Sequence, residues 1–314
     1  MQANRISPAS SAPKTTPSAS WWSRNQRKVA PYLFVLPFFA AYSIFFLYPV
    51  ISSFLLSFNK QTGLSTPTFI GLGNYIALSE DPRYLKALWN TTVYTLASVF
   101  LLSPLALLVA MSVRSFVVPW DNMRSFYRIA FFLPQLTSFV VVALMFALIY
   151  DKDYGLFNGF LATLGIAPVP WLRDERFSMI SIIIVAIWAF IGINSLYFLA
   201  GLQGIPDEIN EAAAIDGANR PQSFFFITLP LLRPTILFVV IQAIIFSYQF
   251  FDIPALLTAG GPSDSTLTLA LYMYTIGFSQ FKLGYAAAIG YSIAIIAVIV
   301  SVVQLVLFRT FRDS

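Results

Sequence analysis

The stretch from Gln203 to Arg233, QGIPDEINEAAAIDGANRPQSFFFITLPLLR, lies between two uncharged apolar runs and predicts a pair of short helices. Pro206 and the acidic residues after it suit a helix start, where the macrodipole favours negative charge. The three consecutive alanines are strong helix formers, and Gly217 suits a left-handed helix end. Pro221 can open a second helix, which we expect Pro230 to end. We therefore predict two helices that meet at an angle.

The apolar runs on both sides of this loop, and four others, are long enough to cross a bilayer. About 20 helical residues span the roughly 30 Å hydrocarbon layer. Only 11% of the 314 residues are charged, whereas roughly a quarter are charged in soluble domains. The runs extend from Val29 to Asn59, Ala87 to Val113, Ile129 to Tyr150, Phe177 to Pro206, Pro234 to Phe251 (if its helix continues past Asp252) and Leu283 to Phe308. We therefore predict an all-α polytopic membrane protein with six transmembrane helices.

Two further segments are predicted to lie outside the six spans. Ser265 to Phe281 is uncharged, but it is only 17 residues long and carries scattered polar side chains. We expect an extracytoplasmic or interfacial segment there, with a seventh span as the alternative. Residues 1–28 are rich in Ser and Pro and hold five basic and no acidic residues, a composition that cannot bury a core. This predicts a disordered basic tail (1–28) followed by a six-span domain (29–314).

The distribution of basic residues predicts the orientation of the chain. With six spans, 12 Lys and Arg residues fall on the side of the two termini and 7 on the other side. Basic residues are enriched in cytoplasmic loops of membrane proteins. We therefore expect a multi-pass protein of the cytoplasmic (inner) membrane with both termini, the 1–28 tail and the loop of about 203–233 in the cytoplasm.

Composition also excludes several classes of function. The chain has no Cys and no His, which removes disulfides, thiolate or imidazole metal sites and His-dependent catalytic triads. The net charge of +5 is explained by basic residues beside apolar spans, which set topology or meet anionic lipid headgroups. We therefore expect the lipid bilayer, and no nucleic acid, as a partner, and neither a metal site nor catalytic residues.

Polar and aromatic side chains within two spans are candidates for a substrate pathway, because polar groups there are costly unless they face a cavity or a neighbour. Gln242 and Gln249 are seven residues apart and therefore share a helical face, with Phe246 between them. Trp188 and Asn194 lie in the preceding span. Packing between helices is the alternative for all five residues, and it is the favoured interpretation for Trp188 and Asn194.

The segment EAAAIDGA, followed by ITLPLLRP, resembles the EAA motif of permease subunits in ATP-binding-cassette importers. The similarity is to the carbohydrate-uptake class that includes the maltose and glycerol-3-phosphate systems. Other segments agree along nearly the whole chain, including PYLFVLPFFAAYSIFFLYPV from Pro31, GLGNY from Gly71 and the stretch that ends in GYAAAIGY at Tyr291. The last resembles the first-subunit type of maltose permease, whose spans four and five contribute the sugar site. Alignment on the motif places Gln242, Phe246 and Gln249 at contact positions.

The resemblance implies a type I ABC importer transmembrane domain that couples to a separate ATPase. Ala212 and Ala213 form a small knob before Gly217 that permits close approach, and Glu211 and Asp216 offer charge to a basic partner. The only Lys followed by Ser or Thr is Lys14, and it lacks the glycine of a Walker A loop. We therefore expect no cofactor on this chain, no enzymatic activity of its own, and ATP bound by two cytoplasmic ATPase subunits. A paralogous permease subunit and an extracytoplasmic sugar-binding protein complete the implied assembly.

Three alternatives remain at this point. The loop could be a membrane-lying connector without a partner. An ion-coupled secondary transporter for a small polar solute usually shows internal repeats and buried charges, and this sequence shows no clear inverted repeat. An intramembrane enzyme would need a Ser-His dyad, HExxH or GxSxG motif, none of which occurs.

Overall fold

The computed structural model describes residues 21–114, 131 and 133–313, and these residues are helical apart from turns, loops and one small sheet. The helices are α1 (Trp21–Tyr42), α2 (Tyr48–Ser57), α3 (Gly73–Glu80), α4 (Pro82–Ala97), α5 (Ser103–Arg114), α6 (Phe139–Ile149), α7 (Leu156–Thr163), α8 (Glu175–Gln203), α9 (Asp207–Ile215), α10 (Arg220–Ser223), α11 (Leu229–Leu231), α12 (Arg233–Tyr248), α13 (Asp252–Leu257), α14 (Leu269–Tyr274) and α15 (Leu283–Asp313). Single π-helical turns follow α1, α4, α10 and α14, at Ser43–Leu47, Ser98–Leu102, Phe224–Thr228 and Thr275–Ser279. Strands β1 (Asn59–Lys60) and β2 (Thr68–Phe69) pair antiparallel.

Five helical stretches within the described residues are long and apolar enough to cross a membrane. They are Arg27–Ser57, Pro82–Val113, Glu175–Gln203, Arg233–Leu257 and Leu283–Val306. These confirm five of the six predicted spans to within a few residues. The fifth span reaches past Asp252 to Leu257, as its length required, with an interruption after Tyr248.

Two predicted segments are shorter helices in the structure. The predicted third span, Ile129 to Tyr150, contains α6 (Phe139–Ile149), which has 11 residues; most of its earlier part lies outside the described residues. The segment from Ser265 to Phe281 forms the short apolar helix Leu269–Ser279, which falls below spanning length. Leu269, Leu271 and Tyr272 are buried, so this helix belongs to the protein core and is not a seventh span.

The chain divides into two units, 1–52 and 53–314. In the first, α1 begins at Trp21, before the predicted span start at Val29. Residues 1–20 of the predicted tail lie outside the described residues. Tyr42 stacks on Phe38 and on Phe46, with ring centroids 6.2 and 5.0 Å apart, and most apolar side chains of this stretch are exposed. Such an exposed apolar surface suits lipid or a protein neighbour.

Small side chains allow the helices of the second unit to pack closely. Ala106 and Ala110 on α5 are fully buried against Phe198 and Leu202 of α8. Small residues let helix backbones approach, which drives association where lipid supplies no hydrophobic force between helices. A second cluster joins α6 and α8, and a third joins α14 and α15 to α4 and α12.

Polar anchors fix the connection between α13 and α14 on the helices beside it. The guanidinium of Arg83 donates to both carboxylate oxygens of Asp264, at 2.8 and 2.7 Å. Asn90 donates to the backbone carbonyls of Asp264 and Leu267, at 2.7 and 2.9 Å. The Thr268 hydroxyl donates to the carbonyl of Phe250 at 2.7 Å. These bonds hold the end of the fifth span in place.

Candidate functional site

The loop between α8 and α12 contains the predicted helix pair. Helix α9 follows Pro206, which has an extended ψ of 138°, and ends at Ile215. Gly217 has a φ of +82°, and the amide of Ala218 donates to the carbonyl of Ala213 at 2.9 Å. This is the hydrogen bond of a Schellman helix end, which requires a left-handed residue. The predicted roles of Pro206 and Gly217 are therefore confirmed.

The surface that α9 exposes contains three of the five predicted coupling residues and two others. Glu211, Ala212 and Asp216 are exposed. Ala213 is only 7% exposed and faces the protein, whereas Ile215 is 86% exposed. Ile215 lies four residues after Glu211 and three after Ala212, on the same helical face, and this spacing could have identified it from sequence. The surface that α9 offers to a partner thus consists of Glu208, Glu211, Ala212, Ile215 and Asp216.

The second helix of the loop departs from its prediction at Pro230. Asn219 and Gln222 form a reciprocal capping box at its start, and Pro221 lies in its first turn, as expected. A π-helical turn at Phe224–Thr228 then leads into α11, which contains Pro230. The predicted break at Pro230 is therefore wrong. Pro230 occupies the first turn of a new α-helical segment, where the absence of an amide donor has little cost.

A cavity of about 540 Å³ lies among the second, fourth and fifth spans and α6. It falls within the range of roughly 300–1,000 Å³ typical of small-molecule sites. Of the predicted pathway residues, Asn194, Gln242, Phe246 and Gln249 line it. Trp188 does not; its ring packs edge-on against Phe146 at 5.3 Å. The shared helical face of the two glutamines is confirmed, and contact with a solute stays a prediction.

A break in the fifth span adds to this cavity. Helix α12 ends at Tyr248 and α13 begins at Asp252, with Gln249 at φ −100°, ψ 7° and Phe251 at φ −123°, ψ −51°. The break and Asp252 both line the cavity. Interrupted helices next to a cavity are typical of binding sites in membrane proteins.

Most amide and carboxylate side chains that line the cavity form no hydrogen bond with the described residues. Among the described residues, no hydrogen bond or ion pair engages the side chains of Gln242, Gln249 or Asp252. Asn194 is different, because its amide group donates to the carbonyl of Phe190 at 2.9 Å. Free amide and carboxylate groups can hydrogen-bond to a polyhydroxylated solute, and the neighbouring aromatic rings can stack on it.

Sequence reasoning missed other residues that line the cavity. Tyr94 stacks on Phe250 with the ring centroids 3.8 Å apart, and the pair forms a buried wall. Gln135 and Tyr197 also line the cavity. Polarity within the apolar run could have identified Tyr94 and Tyr197 as candidates. No group of three or more His, Cys, Asp and Glu residues suited to a metal occurs within residues 21–114 and 133–313.

Residues 70–313 match the family of binding-protein-dependent transport system inner membrane components. The chain belongs to this family. It is therefore a multi-pass membrane subunit of an importer that depends on a separate solute-binding protein. The matched residues include the α9 loop and all the lining of the cavity.

Curated relatives and solved structures agree with this assignment. The arabinooligosaccharides transport system permease protein AraP of Bacillus subtilis (strain 168) is 40% identical over 92% of this chain and 91% of its own length. The lactose transport system permease protein LacF of Rhizobium radiobacter is 36% identical over 87% of this chain and 92% of its own. The fold resembles a chain of a bacterial alginate ABC transporter solved in complex with an alginate pentasaccharide-bound periplasmic protein. The TM-score is 0.79 at 23% identity, over 90% of this chain and 95% of that one.

Proposed function

We propose that this chain forms half of the translocation pathway of an ATP-binding-cassette sugar importer and couples to a separate ATPase through α9. A paralogous permease supplies the other half of the pathway. Two ATPase subunits bind ATP in the cytoplasm, and an extracytoplasmic binding protein delivers the sugar. Both termini and the α9 loop lie in the cytoplasm, as the bias of basic residues favours.

The exposed face of α9 is the observation that carries this proposal. The outer face of α9 combines three acidic side chains, an alanine and an isoleucine that is 86% exposed, and no described part of the chain covers it. An exposed apolar side chain rimmed by acidic ones matches the pattern of a protein interaction site, in which polar residues surround an apolar centre. Glu211 and Asp216 favour a basic rim on the partner, and Ile215 favours an apolar groove.

The base of the loop is attached to the spans that it would move. Leu202, Ile205 and Leu232, at the two ends of the loop, are buried in one hydrophobic cluster with α5 and α8. A displacement of α9 is therefore transmitted to the fourth and fifth spans, because packed cores shift as units.

Two observations support a sugar as the solute. Relatives that match most of this chain include permeases for arabinooligosaccharides and lactose. The cavity combines unpaired amide groups with the exposed ring of Phe246, which is the combination of hydrogen-bond and stacking groups that sugars require.

Reconstitution of the complete importer tests the proposal. The complex is purified through a tag on this chain and inserted into proteoliposomes, with arabinotriose, lactose and maltose as probes. We expect uptake of at least one probe that needs internal ATP and the loaded binding protein. Uptake driven by an ion gradient without ATP, or purification without an ATPase subunit, would contradict the proposal.

A further inference from the structure

We infer that Asp252 makes the substrate cavity selective for uncharged sugars and excludes sugars that carry a carboxylate. This inference rests on the proposed function and adds the charge class of the substrate. It assigns to Asp252 the role of a specificity-determining residue.

The described lining of the cavity carries a negative charge and no positive charge. Asp252 is its single charged side chain among the described residues, and no Lys or Arg of that part of the chain lines the cavity. The other polar groups are neutral amides and hydroxyls, including Gln242, Gln249 and Asn194. A cation would offset the cost of removing an anionic solute's charge from water, and the described residues of this half of the pathway supply none to the cavity.

The carboxylate of Asp252 is available for a ligand. Asp252 is exposed to the cavity, and no described residue offers it a hydrogen bond or an ion pair. It opens α13 but makes no capping bond there, and the preceding cap residue Phe251 has no capping side chain. Capping of α13 therefore does not explain the carboxylate.

Hydrogen-bond chemistry explains why this group discriminates. An ionised carboxylate is acceptor-only and can take two hydroxyl donors at once. Such charge-assisted hydrogen bonds are stronger than hydrogen bonds between two neutral groups. A neutral sugar presents neighbouring hydroxyls that donate to Asp252, whereas a carboxylate on the solute has no proton to donate and repels it. Gln249, three residues earlier, also lines the cavity and can bond a further hydroxyl.

Saturation-transfer difference NMR on the membrane complex of the two permeases and the ATPase subunits measures this selectivity. The binding protein is left out because it has its own preference among sugars. The probes are lactitol with lactobionate and the alditol of arabinotriose with its aldonate. Both members of each pair have an open-chain end, and they differ only in whether that end carries a neutral hydroxymethyl group or a carboxylate. We expect the wild-type complex to bind each neutral sugar at least about tenfold more tightly than its acid, from like-charge repulsion at short range.

Asp252→Asn should bring the two affinities of each pair to within about threefold, because the amide still accepts a hydroxyl but carries no charge. Asp153→Asn is the matched control, since Asp153 is exposed but does not line the cavity; it should keep the wild-type ratio. Equal affinities in wild type, or unchanged discrimination in Asp252→Asn, would overturn the inference. ATP-dependent uptake of a neutral sugar in the same preparation shows whether the proposed function itself holds.

A measurement on the wild-type complex covers the case in which Asp252→Asn fails to assemble. Raising the ionic strength from about 0.01 M to about 0.15 M shortens the Debye length from roughly 30 Å to 8 Å. Electrostatic exclusion predicts that the ratio of neutral to acidic affinity falls with salt. A ratio independent of salt would contradict exclusion by Asp252.

Discussion

The side chain of Thr235 occupies the space in which a Cβ of Gly201 would stand: an added Cβ would lie 2.8 Å from the Thr235 Cγ2. Gly201 lies near the end of α8 and Thr235 near the start of α12. The fourth and fifth spans are therefore in close contact where the α9 loop leaves them. The absence of a side chain at Gly201 allows this contact. Under the proposed coupling through α9, we expect the two spans to move together.

We predict that Gly201→Ala separates these two spans. Overpacking of this kind typically costs about 1–3 kcal/mol, so the thermal midpoint of the purified complex should fall and transport should be impaired. Gly159→Ala is the control, because no atom lies within 4 Å of an added Cβ there and alanine favours a helix by up to about 1 kcal/mol. Equal midpoints for both variants would show that the spans adjust freely.

The second prediction separates two reasons for glycine at position 217. An added Cβ meets no atom of the described chain within 4 Å, but φ is +82°. Alanine should therefore cost about 1–2 kcal/mol in backbone strain, while asparagine, which tolerates the left-handed region better, should cost less. If an ATPase approaches this position closely, both variants should lose ATPase during purification. Full retention in Gly217→Asn would limit the role of Gly217 to its backbone conformation.

The third prediction concerns Gln242 and Gln249. Their side chains make no hydrogen bond with described residues, so Gln242→Leu and Gln249→Leu should leave assembly and thermal stability intact. A lost hydrogen bond to a bound sugar costs about 1–3 kcal/mol, which should appear as reduced uptake or altered sugar preference. Wild-type uptake kinetics in both variants would identify the glutamines as packing residues.

The sequence contained enough information to predict the α9 loop in detail. Pro206, the alanines and Gly217 act through local backbone preferences, which do not depend on distant residues. The positions of the long spans were also predictable from the sequence. A continuous apolar run in a bilayer can satisfy its backbone hydrogen bonds only as a helix.

Side-chain directions and long-range contacts were not predictable. The burial of Ala213 and the exposure of Ile215 depend on how α9 packs against the rest of the chain. Trp188 faces Phe146 and not the cavity, a choice that helix rotation decides. The break after Tyr248 depends partly on a hydrogen bond from Thr268, which lies 18 residues from its acceptor Phe250.

Asp81 illustrates a network that depends wholly on such long-range contacts. Its carboxylate caps α4 and accepts hydrogen bonds from the hydroxyls of Tyr272 at 2.5 Å and Tyr285 at 2.8 Å. Burial raises the pKa of Asp81, but the two hydroxyls and the backbone amides of Arg83 and Tyr84 together outweigh burial, and the pKa lies below its ordinary value. Asp81 thus joins the start of the second span to α14 and α15.

The fourth prediction follows from the sign of this shift. Asp81→Asn keeps a capping oxygen but loses charge-assisted bonds, so it should destabilise the complex by about 1–3 kcal/mol at pH 7. Because the folded pKa is lowered, the wild-type advantage is complete above the unfolded value of about 3.9 and is lost as the pH falls through the folded pKa. The difference between the thermal midpoints of the two proteins should therefore shrink as the pH falls below this unfolded value. A difference that stays constant with pH would contradict the role of the charge.

The central claim is that α9 transmits the energy of ATP hydrolysis, and the most direct test is substrate-stimulated ATP hydrolysis by the reconstituted complex carrying Glu211→Lys. Glu211 is exposed, so its replacement should change the thermal midpoint of the permease little. Glu80→Lys makes the same charge change at an exposed site outside the loop and serves as the control. We predict that Glu211→Lys abolishes the stimulation of hydrolysis by the sugar-loaded binding protein, with reduced uptake, while Glu80→Lys retains both. Normal stimulation and normal uptake in Glu211→Lys would contradict the claim.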